Sequence, residues 1–194
     1  MTSDIFKPLI TLFNNMDKTW NKIAESYLFQ CNGCEDNCCK SLFFHHTYIE
    51  KAYLLYGFNA LDQNTKETIQ ERAQKYCKKT FSQAREIRSH KIYCPVNEKG
   101  LCLLYKFRPM ICRLHGLPHE IDRPGSFPVR GPGCDAGMFN TKPYIKFDRT
   151  PFYRAMVQIE SDYRGNINKT DKIKQSIAQM LISQKNISKG PHGQ

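Results

Sequence analysis

No stretch of this chain approaches the ~20 consecutive apolar residues that a membrane-spanning helix requires. Its first residues, Met1-Thr2-Ser3-Asp4-Ile5-Phe6-Lys7-Pro8, lack the basic stretch, apolar run and small-residue cleavage site of a secretory leader. The expectation is a reducing, cytoplasmic home with no membrane span. Also missing are a G-x4-G-K-[ST] loop, a G-x-G-x2-G turn and a G-x-S-x-G elbow. Their absence removes the usual phosphate-loop, dinucleotide and serine-hydrolase readings. There is no internal repeat and no low-complexity block.

What the chain has in excess is cysteine, nine in 194 residues. In a reducing compartment that number argues for metal or redox chemistry rather than a disulfide scaffold, and an odd count fits a fully paired framework poorly. Hydrophobic residues (40%) and aromatics (12%) suffice for a core. A mean hydropathy of −0.58 makes that core modest, and metal binding would reinforce it. The length suits a single domain over 1–194, with room for a small second lobe.

The formal charge of +11 needs a correction for bound metal. Metal-bound cysteines are thiolates, so two four-sulfur sites each holding a divalent charge would subtract about four charges. The protein stays basic, which leaves room for an acidic protein or nucleic acid as partner.

Helical spacing predicts an amphipathic helix over 4–25, with Ser3 or Asp4 as cap and Pro8 tolerated in its first turn. Further helices are expected at 47–58, 65–88, 150–164 and 170–187, the last with Ile173, Ile177, Met180, Leu181 and Gln184 as its apolar stripe. The segments 1–27 and 148–188 thus read as flanking helices around a cysteine-cluster core at 31–134. From 91 to 140 frequent proline and glycine rule out long regular elements, and metal crosslinks would hold such a segment. The expected fold class is mainly α with a loop-rich, Cys-rich, metal-organised centre and little or no β-sheet.

The cysteines form two blocks. Cys31, Cys34, Cys38 and Cys39 read C-x2-C-x3-C-C in an Asn-, Gly- and Asp-rich loop. Cys94-Pro95 opens a second block with Cys102 and Cys112-Arg113, and Cys134 follows Gly131-Pro132-Gly133. Asn97-Glu98-Lys99-Gly100 suits a tight turn that brings Cys94 and Cys102 together. Arg108-Pro109 should start a short helix, with Cys112 about one turn in and Arg113 beside it, a setting that stabilises thiolate. The glycines before Cys134 would let the backbone approach a cluster closely. Cys77 lies inside the helix at 65–88 and reads as a small core residue, outside the site.

These blocks resemble the YkgJ-type cysteine-cluster family, the CxxCxxCC zinc- or iron-chelating domain. Its pattern is a leading C-x2-C-x2/3-C-C, a C-P with glycine and cysteine nearby, an R-P-x2-C-R and a late cysteine. Here the parts are Cys31, Cys34, Cys38 and Cys39; Cys94-Pro95, Gly100 and Cys102; Arg108-Pro109-Met110-Ile111-Cys112-Arg113; and Cys134. The match spans 31–134, just over half the chain, with the longer gap before Cys38. The resemblance implies metal binding by these eight cysteines and no single activity. Some longer relatives resemble flagellin lysine methylases, but the extra regions such a transferase needs are not evident here.

Thiolates are soft ligands for zinc, copper(I) and iron–sulfur clusters. A structural zinc usually takes two C-x2-C knuckles, and this chain has one. The adjacent Cys38-Cys39 pair is awkward for one ion and easier for a polynuclear site or two neighbouring sites. An iron–sulfur cluster is therefore favoured, with Zn2+ the alternative, serving a redox or metal-handling role. A structural zinc domain acting as a basic interaction module, or an enzyme with an open pocket beside the cluster, are the competing readings. Arg108, Arg113 and His115 are candidates to support the ligands from behind, against ordinary ion pairing for the arginines. His45 and His46 read as structural or solvent-facing. The run Tyr144-Ile145-Lys146-Phe147-Asp148-Arg149 could stack on bases, yet it alternates like a short strand.

Overall fold

The computed structural model describes residues 4–31, 38–81, 92–123 and 125–183, with only the backbone described for Cys38 and Asp135. In chain order the elements are α1 (Lys7–Ser26), α2 (Tyr48–Asn59), α3 (Gln63–Phe81), β1 (Asn97–Glu98), β2 (Leu101–Cys102), α4 (Met110–Leu114), β3 (His119–Ile121), β4 (Val129–Gly131), α5 (Thr150–Asn166) and α6 (Ile177–Ile182). The fold is mainly helical, as expected, and its strands form two small two-stranded sheets.

The chain divides into two compact units, one of residues 1–38 and 110–171, the other of 39–109 and 172–194. In the first unit α1 packs on α4 and α5. Leu9, Leu12, Phe13 and Met16 are buried at helical spacing, which is why this segment coils and which face it hides. Of the two expected caps, Ser3 lies outside the described residues, and Asp4 sits in a 3-10 turn and pairs with Lys7 at 2.6 Å. The helix is entered instead from the buried Phe6, and Pro8 falls in the first turn, where its missing N–H costs nothing. β3 and β4 pair antiparallel, with His119 opposite Gly131. A Cβ on Gly131 would lie 2.2 Å from the His119 ring, so this position is glycine to seat the imidazole.

The second unit stacks α3 and α2 on α6, and α2 also meets the 3-10 turn Tyr105–Phe107. Ile49, Leu54, Phe58, Ile69, Ala73, Val96, Leu104, Met180 and Leu181 are buried here. The bounds of α2 and α5 agree with expectation to within two residues, and α3 begins two residues early; residues 82–88 of its predicted span lie outside the described residues.

The last helix is shorter than its predicted span of 170–187, for a local reason and a distant one. Ser176 caps the helix at Ile177 through a reciprocal pair: its hydroxyl accepts from the Gln179 N–H (3.3 Å), and the Gln179 side chain accepts from the Ser176 N–H (2.9 Å). Just before it, Gln175 exchanges main-chain hydrogen bonds with His45 at 2.8 and 3.0 Å, which holds that residue extended. Ile177, Met180 and Leu181 keep the buried roles expected of them, while Gln184 lies outside the described residues.

Candidate metal centre

The second unit brings three of the predicted ligands together. The turn expected at 97–100 is a two-residue hairpin loop in which Lys99 (φ 49°) and Gly100 (φ 88°) are both left-handed. That is the geometry whose twist matches paired strands. Asn97 stands opposite Cys102, its side-chain oxygen accepts from the Gly100 N–H (3.2 Å), and its N–H donates to the Cys94 carbonyl (2.9 Å). Cys94 in turn donates its N–H to the carbonyl of Cys39 (2.6 Å), tying the leading cluster to the Cys-Pro block.

The side chains follow the backbone. Cys94 feels both Cys39 and Cys102, and Cys102 feels Cys39, so the three thiols form one electrostatic group. Burial, and then each neighbour's charge, pushes the Cys94 thiol up to about 12 and raises Cys102 as well. Left alone they are neutral thiols. A metal cation among them would reverse that preference, since a coordinated thiol is deprotonated outright. Arg108 stacks on the Tyr105 ring at 3.7 Å, and its charge acts downward on Cys102.

The sequence did not single out Tyr76 for the site, yet burial and then Cys94 raise the pKa of its hydroxyl. It was legible only as one position on the inner face of α3. Cys77 follows it, half-buried, and only burial raises its thiol; no other cysteine acts on it. His45 is buried and His46 exposed.

In the first unit Cys112 is the third residue of the five-residue α4, and Pro109 precedes that helix rather than opening it. Cys112 and Cys134 are both half-buried, and Cys31 is exposed. Cys34 lies outside the described residues, as does the side chain of Cys38, whose backbone opens a 3-10 turn with Cys39 and Lys40. The Cys134 N–H donates to the Gly116 carbonyl (2.9 Å), so the late cysteine is tied to the turn that follows α4. Gly133 (φ +84°) is there for close packing: a Cβ would meet Phe139 at 2.7 Å and Pro118 at 2.8 Å. Arg113, expected beside a thiolate, is buried with its guanidinium 4.1 Å over the Phe13 ring and paired with Asp17 at 2.6 Å.

His115 follows α4, and its carbonyl accepts from the Trp20 indole N–H at 2.9 Å. Burial, then the charge of Arg149, lowers the pKa of both His115 and His119, so both rings are held neutral. In the run 144–149, Phe147 and Arg149 are buried, Phe147 beneath the guanidinium, and Tyr144 alone of the two aromatics is exposed. The strand-like alternation read from the sequence is not a strand here: the run makes only an isolated parallel bridge, between Asp148 and Glu120.

Among the described residues no three His, Cys, Asp or Glu side chains converge on a metal position. Cys39, Cys94 and Cys102 are neighbours whose sulfurs would have to turn towards a common ion. The donor set fits a soft metal in kind: three thiols, with a guanidinium acting on Cys102. Comparison with known proteins gives no match, whether with family models, curated sequences or solved structures.

Proposed function

We propose that this chain is a metal-binding cysteine-cluster protein of the YkgJ type, holding an iron–sulfur cluster in a redox or metal-handling role. The observation that carries the reading is the grouping of Cys39, Cys94 and Cys102 by main-chain hydrogen bonds and mutual electrostatics. Segments distant in sequence meet here with three thiols side by side, and no disulfide joins the described cysteines. Cys31, Cys34, Cys38, Cys39, Cys94, Cys102, Cys112 and Cys134 would be the ligands. The bound group would supply one-electron chemistry if iron–sulfur, or a structural crosslink if zinc.

What the chain's own residues do is separable from that. The β1–β2 hairpin presents Cys102 to Cys94, Arg108 favours the thiolate form of Cys102, and the main-chain N–H groups of Val96 and Leu104 donate to Cys94 and Cys102 and favour thiolate there. Anaerobic purification followed by iron, zinc and acid-labile sulfide analysis with a visible spectrum tests the reading. Iron with sulfide and a broad absorption bleached reversibly by reductant is expected. Zinc alone would replace the redox role with a metal-stapled scaffold. A metal-free protein that takes up neither would overturn the reading.

A further inference from the structure

The charge of this chain is divided unevenly between its two units. In residues 1–38 and 110–171 Lys and Arg are equalled in number by Asp and Glu, so the whole excess of +11 falls in 39–109 and 172–194. That second unit is also the one that holds Cys39, Cys94 and Cys102.

Exposed apolar side chains of this unit gather on the segments that carry those cysteines. Leu101 and Leu103 alternate with Cys102, so the strand that turns the thiol inward turns both leucines to water, Leu101 at 75% exposure. The Leu103 N–H donates to the Val96 carbonyl at 2.9 Å, which holds this outer face beyond the end of β2. Tyr105 follows at 65% exposure, and Tyr93, next to Cys94, is exposed as well. Cations stand against both rings: Arg108 at 3.7 Å over Tyr105, and Lys40, next to Cys39, at 4.8 Å over Tyr93. Lys99 and Lys106 are exposed on the same stretch. Between 92 and 109 the one carboxylate is Glu98, and Arg72 takes it at 2.5 Å. Leucine and tyrosine rimmed by positive charge are the composition of an interface, with an apolar centre and a polar rim.

Charge selects the occupant. A second copy carries the same +11, and the undescribed stretches of this unit, 82–91 and 184–194, are themselves net basic, so neither complements the face. Nucleic acid would match the charge, but Leu101 and Leu103 give bases no ring to stack on. We propose that this face of the second unit docks an acidic protein, its apolar centre meeting the leucines and tyrosines and its carboxylates meeting the surrounding Lys and Arg. A partner seated there lies against the hairpin and the Cys-Pro segment that carry the sulfurs. The inference goes beyond the metal reading and does not depend on what the sulfurs hold.

Fluorescence anisotropy of a labelled synthetic peptide, its leucines flanked by glutamates, tests this with the full chain as purified. The peptide should bind with an affinity that falls as salt rises, and the same peptide with lysine for glutamate should not bind. Leu101→Ser and Lys106→Glu should each weaken binding roughly tenfold. Val157→Ser, at an exposed apolar position on α5 in the first unit, should leave it unchanged. Should serine at 101 unsettle the hairpin, Lys106→Glu carries the test alone. A peptide that binds these variants as it binds the wild type, or does not bind at all, overturns the proposal. So does oligothymidylate or a phosphatidylserine vesicle that binds in a Leu101-dependent way while the peptide does not. The two readings fail separately. A metal-free protein that binds the peptide loses only the metal reading, and a metal-loaded protein blind to it loses only the docking face.

Discussion

Cys94 donates its main-chain N–H to the carbonyl of Cys39 at 2.6 Å, so the backbone alone holds the Cys-Pro cysteine against the last cysteine of the leading cluster. Prepaying that ordering is what lets a site bind tightly, because less conformational entropy is lost on loading. It also separates ligands from bystanders. Cys94→Ser should lose most of the metal bound per chain, whereas Cys77→Ser, on α3 and electrostatically apart, should keep it. Metal per chain after anaerobic purification measures both. Equal losses in the two variants would remove Cys94 from its special place.

Gly57 illustrates a packing constraint with a sign opposite to helix propensity. It lies inside α2, where alanine would ordinarily stabilise by about 1 kcal/mol. Its missing Cβ is the space used by the Phe107 ring, which would stand 2.2 Å away at its Cγ, too near the backbone for the ring to swing aside. Gly57→Ala should therefore destabilise the protein by roughly 1–3 kcal/mol, read as a lower urea midpoint. A higher midpoint would mean that Phe107 repacks without strain.

The helices were legible because their apolar spacing is local: Leu9, Leu12, Phe13 and Met16 in α1 and Ile69, Ala73 and Tyr76 in α3 announce both coil and face. The hairpin was legible from Asn97-Glu98-Lys99-Gly100 for the same reason. The start of α6 was written in Ser176-Ile177-Ala178-Gln179, a capping box that the longer apolar stripe obscured. The extended stretch before it depends on His45, far away in sequence, and no local pattern reports that. Of the candidate site, the sequence supplied the residue types and the Cys94–Cys102 turn. It could not supply Tyr76, whose place beside Cys94 arises only when separate segments meet, nor the turning of Arg113 towards Asp17.

That last pair gives a third prediction. The Arg113 side chain is 6% exposed and that of Asp17 34%. Asp17→Ala removes a charge partner from a buried guanidinium, and the cost should be about 2–3 kcal/mol, below that of a fully enclosed pair because Asp17 reaches water. The double variant Asp17→Ala/Arg113→Met should recover part of it, since a buried pair can be replaced by apolar packing against Phe13. Denaturant titrations of the four proteins give the coupling. Strict additivity would mean that the two residues are not partners in solution.

His45 sets the acid limit of the second unit. Burial first, and then the neighbouring His46, lowers its pKa from 6.5 to about 4, and its Nε2 has no hydrogen-bond partner. Lys51, bonded to the Gln175 side chain at 3.0 Å, and Lys174, over the Phe44 ring at 4.8 Å, are further cations beside this bridge. The unfolded chain takes up a proton at His45 from about pH 6.5 downward, while the folded chain refuses it until about pH 4. More protons are bound by the unfolded state in that window, so stability rises with pH across it and is lost as the pH falls. Roughly 2 kcal/mol should be gone by pH 5 and about 3 kcal/mol by pH 4. His115 and His119 are lowered too and add to the same slope, so the comparison must be differential. His45→Leu should flatten the stability profile between pH 7 and pH 5 by roughly the 2 kcal/mol assigned to this ring. If the variant and the wild type lose equal stability over that range, His45 is already able to take its proton in the folded protein.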